Sequence, residues 1–174
     1  PDQNLSEPRA HLVWWPLYAG ISNSGDLGFT TGPYAIDENR RGHYFTIWKK
    51  QDGGEWKWVL DAGVGADASL EAPQGSPVAY LAPTHEHSAS PEAASAEVAA
   101  IEASIAAAAV DSVQSAYEPY LDDESRLHSS GPAPSKSADG RAAIFAARPQ
   151  SLAFTALGGG VSLAGDLVWT YGEG

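Results

Sequence analysis

The chain has 174 residues, 22 acidic and 10 basic side chains and a formal net charge of −12. This acidic balance argues against a nucleic-acid partner and against an anionic membrane surface. No cysteine is present, which excludes disulfides, thiol catalysis and cysteine-ligated metals. No apolar run reaches the roughly 20 residues of a membrane-spanning helix, so we predict no membrane partner.

The first sixty residues are typical of strands separated by turns. Residues 12–17 predict a short strand, in which Pro16 limits the pairing to an edge or a bulge. Longer runs rich in β-branched and aromatic residues predict strands at 27–36, 42–50 and 55–61. Large apolar groups occupy both faces of these strands. We therefore expect a sheet that is covered on both sides along its middle.

Two-residue alternation sorts the side chains of the second and third long strands. It places His43 and Phe45 on one face and Tyr44 and Trp48 on the other. On the third strand it predicts that Asp61 lies on the face opposite the tryptophans, which are Trp56 and Trp58.

The second half of the chain is predicted to be mainly helical. Residues 64–90 have the Ala, Gly, Pro and Ser composition of a linker. Ser90 and Pro91 are typical of a helix start, and the Ala- and Glu-rich segment continues the helix to residue 109. Asp111 and Asp139 are predicted to cap two shorter helices, 112–120 and 140–147. Strands are expected at 125–129, 152–157 and 161–172.

An internal repeat relates the two halves. The segment ISNSGDLGFTTG at 21–32 aligns with VSLAGDLVWTYG at 161–172, at an offset of 140 residues. That offset is the length of a domain, well above the roughly 20–50 residues of a solenoid unit. Two tandem homologous domains explain it better than chance similarity does. We then expect a fragment cut at both ends, with 1–63 from the first repeat and 91–174 from the second.

The motifs of residues 22–63 carry a family resemblance. The segments GDLGFTTG, RGHYFTIWKKQ and DGGEWKWVLDAG, together with preceding helices, resemble the SnoaL-like group of the nuclear transport factor 2-like superfamily. The resemblance implies an α+β cone in which a bent antiparallel sheet wraps around helices and encloses an apolar pocket. In this chain the order would be permuted, with residues 92–150 docking on the sheet of 12–61 to form one hybrid domain.

Catalytic members of the family use a pocket carboxylate or histidine to move a proton, which makes Asp61 and His43 the candidate general bases. Each residue also has a purely structural interpretation. Asp61 could accept hydrogen bonds from turn amides at the end of its strand, and His43 could be a strand residue packed near a tyrosine or an acidic partner. A ligand-binding pocket could be lined by six aromatic residues, for which core packing is the alternative: Tyr34, Tyr44, Trp48, Trp58, Tyr117 and Tyr120.

No metal site and no cofactor are predicted. The segment His85-Glu86-His87 has a spacing that some metal sites use, but it lacks a third ligand in register. The glycines at 158–160 lack the lysine and the following helix of a phosphate-binding loop.

Three functions stay open. The first is a module that binds a small apolar or amphipathic ligand. The second is an enzyme of the isomerase, cyclase or dehydratase kind, and the third is an assembly domain that forms a homodimer through its sheet. The sequence leaves the cellular compartment open.

Overall fold

The computed structural model describes residues 11–69, 71–83 and 90–174 of the chain. Within them the fold is mixed α+β, with a bent, open sheet and three α-helices. The strands are β1 (Leu12–Trp14), β2 (Tyr18–Ile21), β3 (Leu27–Ile36), β4 (Asn39–Lys50), β5 (Trp56–Val64), β6 (Ala79–Leu81), β7 (Thr155–Val161) and β8 (Val168–Glu173). The helices are α1 (Pro91–Ala109), α2 (Val113–Tyr117), extended by a 3₁₀ turn (Glu118–Tyr120), and α3 (Ala138–Ala147).

The first six strands form one sheet in the order β5-β4-β3-β2-β6, and β1 pairs with the far half of β3. The predicted strand 27–36 is confirmed with its bounds. The predicted strand 12–17 is interrupted, since β1 ends at Trp14 and β2 begins at Tyr18. Pro16 lies in the gap and has no N–H to donate, which explains the break.

The segment predicted as a linker contributes to the sheet. Strand β6 lies beside β2 in parallel, and the Ala79 N–H donates to the Leu17 carbonyl at 2.9 Å. The Trp15 indole N–H donates to the Ala72 carbonyl at 3.0 Å, and the Arg40 guanidinium reaches the Ala68 carbonyl at 2.9 Å. Residues 64–69 and 71–83 therefore pack along the sheet, although their composition is poor in large apolar groups.

Both faces of the sheet are buried along the middle of β3 and β4, as expected, but the side chains of β5 are mostly exposed. Tyr44, Thr46 and Ile47 are buried in the middle of β4. On β5, Trp58 is 65% exposed and Asp61 is exposed as well. In the described sheet β5 is an edge strand, so its side chains have a neighbouring strand, β4, on one side only.

Serines cap all three α-helices. The Ser90 side chain accepts from the Ala93 N–H at 3.2 Å, which confirms the predicted start of α1. The predicted caps Asp111 and Asp139 are wrong. Ser112 and Ser137 occupy those positions, because each accepts from the N–H three residues further on.

The helices form their own hydrophobic cluster. Its buried members are Ile105, Ala109, Val113, Ala116, Leu127, Ile144 and Phe145. All lie in the second half of the chain, and α1 packs on α2 and on the β7–β8 hairpin. The strand predicted at 125–129 is wrong, because Leu127 forms only an isolated bridge with Ser135.

The two halves of the chain meet at the loop 124–131 and at the turns 22–27 and 162–167. Gly131 exchanges backbone hydrogen bonds with Gly65 and Asp67 at the end of β5. Glu124 accepts from the Tyr18 hydroxyl at 3.1 Å, and the Arg126 guanidinium lies 5.0 Å from the centre of the Tyr18 ring. These contacts between residues 92–150 and the sheet come from the segment after the 3₁₀ turn, while the helices bury their apolar residues in their own cluster.

Candidate functional site

A groove of about 390 Å³ lies on one face of the six-stranded sheet. We call it the aromatic groove. Five aromatic rings and one carboxylate line it, together with small and aliphatic groups: Leu12, Trp14, Tyr34, Tyr44, Thr46, Trp48, Trp58, Asp61, Ala62 and Gly63. The structure thus brings together Tyr34, Tyr44, Trp48, Trp58 and Asp61 from the predicted site residues. Trp14 and Thr46 are members that the sequence analysis did not select.

Strand pairing explains why these residues share a face. Trp14 lies opposite Tyr34 in the β1–β3 pair, and directly opposed residues point to the same side of a sheet. Tyr34 pairs with Gly42, from which Tyr44 and Trp48 follow at two-residue spacing along β4.

A β-bulge places Trp58 and Asp61 in the groove together. Trp58 pairs with Trp48, whereas Leu60 pairs with Ile47, so Val59 is an extra residue in β5. An extra residue shifts the alternation by one position. The prediction that Asp61 faces away from the tryptophans is therefore wrong, since regular alternation ends at the bulge.

Asp61 is held at the edge of the groove by a cross-strand hydrogen bond. The Thr46 hydroxyl donates to Asp61 Oδ1 at 2.5 Å. Asp61 takes part in no ion pair within the described residues, whose ion pairs lie elsewhere. The Asp61 carboxylate is the single charged group in the lining.

The aromatic walls are fixed by packing and by one indole hydrogen bond. The rings of Trp14 and Tyr44 lie 5.2 Å apart at 57°, a favourable tilted arrangement. The Trp48 indole N–H donates to the Thr30 hydroxyl at 2.9 Å. Burial raises the pKa of Tyr44, the Thr30 hydroxyl opposes this, and the charge of Asp61 adds to the rise. The phenol is therefore neutral at physiological pH.

His43, the second candidate base, lies on the opposite face of the sheet. It is 2% exposed, and its Nε2 lies 3.2 Å from Glu71 Oε1. The His43 contact, against the opposing effect of burial, lowers the pKa of Glu71. His43 and Asp61 consequently cannot act together on one small substrate.

His128 from the second half packs against this opposite face. Its ring lies 6.3 Å from the His43 ring and 6.2 Å from the Phe45 ring, measured between centroids. Burial, with the charges of His43, Arg126 and Arg148, lowers the pKa of His128 to about 4. The sequence analysis missed the Glu71–His43–His128 cluster, because Glu71 lay in the predicted linker and no local motif links the three.

Tyr117 and Tyr120 lie outside the aromatic groove. Tyr117 packs against the hydrophobic cluster of the helices, and Tyr120 is 45% exposed at the end of the 3₁₀ turn. A second, larger groove of about 710 Å³ lies between α1 and the β7–β8 hairpin. Among the residues that line this second groove, the Thr170 hydroxyl donates a hydrogen bond to Glu102 Oε1 at 2.8 Å.

The described residues contain no group of three or more His, Asp or Glu side chains arranged to hold a metal ion. The segment 85–87, considered above for its spacing, lies outside the described residues. Among the helices that the structure describes, none has the length and apolar character needed to cross a membrane.

Comparisons of the chain with protein-family models, with curated proteins and with solved structures gave no match.

Proposed function

We propose that this chain binds a small apolar or amphipathic molecule in the aromatic groove. The observation that carries the proposal is the convergence of five aromatic rings from four strands on one volume of about 390 Å³. Ligand sites in proteins are concave, mainly apolar and about 300–1,000 Å³ in volume, with few polar groups that orient the ligand. Asp61 and Thr46 are the polar groups of this kind here.

The exposure of the rings supports binding over plain core packing. Trp14 is 48% exposed and Trp58 is 65% exposed. Large aromatic side chains contribute most when they are removed from water. A ligand between these two rings would bury surface that the isolated chain leaves in water.

Binding of the neutral fluorescent probe N-phenyl-1-naphthylamine tests this proposal. We expect saturable binding that Trp58→Leu weakens about tenfold, since one wall of the groove is lost. Trp56→Leu is the matched control, because Trp56 lies two residues away on β5 and is 40% exposed, but does not line the groove. No saturable binding, or an equal loss in both variants, would overturn the proposal.

A homodimer through the sheet is the second candidate. Next to the aromatic groove, a separate apolar groove exposes Ile21 at 47% and Tyr80 at 76%. Together with Leu12 these residues form an apolar surface of the kind that partner chains cover. Light scattering coupled to size exclusion would detect a dimer, and Trp58→Lys should then convert it to a monomer.

We also propose, from the sequence motifs, that the chain is a rearranged member of the nuclear transport factor 2-like superfamily. The bent sheet, three helices and similar turns at 22–27 and 162–167 support this proposal. An enzymatic role would rest on Asp61 as the base in the groove, without His43. A solution NMR structure of the chain would test the cone architecture.

A further inference from the structure

We infer that the ligand of the aromatic groove is an organic cation with an alkylated ammonium headgroup. This inference rests on the proposed binding function and adds the chemical class of the ligand. It follows from the charge and the geometry of the lining rather than from its size.

The formal charge in the lining of the aromatic groove is negative. The lining holds the Asp61 carboxylate and no lysine, arginine or histidine. The chain as a whole carries a formal charge of −12, so the long-range field also favours a cation over an anion. An anionic amphipath would meet repulsion from both sources.

The aromatic rings provide surfaces that attract cations. The face of an indole or phenol ring carries negative electrostatic potential, and ammonium groups bind within about 6 Å of its centroid. The Trp14 ring packs on the buried Tyr44 ring at 5.2 Å, whereas Trp14 at 48% and Trp58 at 65% exposure leave aromatic surface open to a ligand. Exposed aromatic rings and one carboxylate in the same groove are the groups that recognise quaternary ammonium ligands.

Asp61 is prepared for this role by its partner. Thr46 donates to Oδ1 and fixes the orientation of the carboxylate. Within the described residues no lysine or arginine neutralises Asp61. The charge is thus available to a ligand at the edge of the groove.

Choline and its neutral isostere 3,3-dimethylbutan-1-ol test the inference, because the two differ mainly in charge. We expect choline to bind at least about tenfold more tightly, measured by displacement of N-phenyl-1-naphthylamine. Asp61→Asn should remove most of this preference and leave binding of the neutral alcohol unchanged. Asp52→Asn, an exposed carboxylate in the β4–β5 turn outside the groove, is the matched control and should keep the preference.

The outcomes separate the two proposals. Equal affinity for choline and the alcohol would overturn the cation inference while the binding function stands. A preference that survives in Asp61→Asn would also overturn it. Absence of binding by the neutral probe would remove the proposed function itself. Trp58→Leu provides a second variant, in which we expect the preference for choline to fall several-fold.

Discussion

Asp26 and Asp166 each accept a hydrogen bond from the backbone of the turn to which the other belongs. The Leu163 N–H donates to Asp26 Oδ2 at 3.2 Å, and the Asn23 N–H donates to Asp166 Oδ2 at 2.7 Å. The two aspartates are 140 residues apart and occupy equivalent positions in the aligned segments. The contact is therefore reciprocal, as in an interface with two-fold symmetry.

Each turn has the same internal geometry. Ser22 and Ser162 donate their hydroxyl groups to the aspartates of their own turns, at 3.1 and 2.8 Å. Gly25 and Gly165 both have a positive φ, of 65° and 72°. Partial burial acts to raise the pKa of Asp26, but the hydrogen bonds from Ser24 and from the Leu163 backbone outweigh it, so the pKa is lowered.

The first prediction concerns the energetic coupling of these turns. Asp26→Ala and Asp166→Ala should each lower the free energy of unfolding by about 1–2 kcal/mol, because each leaves N–H groups without an acceptor. If either substitution alone breaks the contact between the two turns, the double variant should lose about 1 kcal/mol less unfolding free energy than the two single losses added together. Urea unfolding measures this, with the exposed Asp111→Ala as control. Additivity of Asp26 and Asp166 would contradict the reciprocal contact.

A second prediction concerns acid sensitivity at His128. Its pKa of about 4 in the folded chain lies below the ordinary value of 6.5, so the unfolded chain binds the proton more tightly. The contribution of His128 to stability is constant above about pH 6.5 and falls as the pH drops towards 4. Between pH 7.5 and 4.5 we expect a loss of about 2.5 kcal/mol from this group.

The comparison that isolates His128 is with His128→Phe, which retains a ring against Phe45. Glu71 and Asp26 have lowered pKa values and lose stability in the same direction as the pH falls. The variant should therefore still lose stability on acidification, but by about 2.5 kcal/mol less. The same acid loss in both proteins would show that His128 is not buried in its neutral form.

The third prediction concerns the turn between β3 and β4. Asp37 and Glu38 have φ values of 50° and 67°, as both central residues of a type I′ hairpin turn require. Glycine adopts this conformation without the steric cost of a Cβ atom. We expect Glu38→Gly to raise the free energy of unfolding by about 0.5–1 kcal/mol. Glu55→Gly, at a negative φ, should give no gain, and equal effects would argue against the turn.

A fourth prediction concerns the close approach of β4 and β5. A Cβ atom on Gly42 would clash with the Val64 carbonyl oxygen, whereas one on Gly53 would meet no atom within 4 Å. Gly42→Ala should therefore destabilise the chain by about 2–3 kcal/mol, with Gly53→Ala within about 0.5 kcal/mol of the parent. Thermal and urea unfolding provide the comparison. A tolerated Gly42→Ala would mean that the two strands lie further apart.

Local sequence patterns predicted the elements that depend on local chemistry. The ten-residue run of β3 and the serine and proline at the start of α1 are examples, because propensity and capping act over a few residues. Strand β6 was missed, since three residues of ordinary composition become a strand only when β2 lies beside them.

The candidate site was predicted in part for the same reason. The aromatic residues of β4 were selected because alternation places Tyr44 and Trp48 on one face. The position of Asp61 beside Trp58 depends on the extra residue Val59, and no turn residue marks that bulge in the sequence. The Glu71–His43–His128 cluster joins three distant segments and has no local pattern.

The indole N–H signals of the six tryptophans test the central claim most directly, because each reports on one place in the fold. On addition of N-phenyl-1-naphthylamine to the ¹⁵N-labelled chain, we expect the signals of Trp14, Trp48 and Trp58 to shift in a saturable way. Those of Trp15 and Trp169, which lie outside the aromatic groove, should stay in place. A shift of Trp169 alone would place the ligand between α1 and the β7–β8 hairpin and contradict the account.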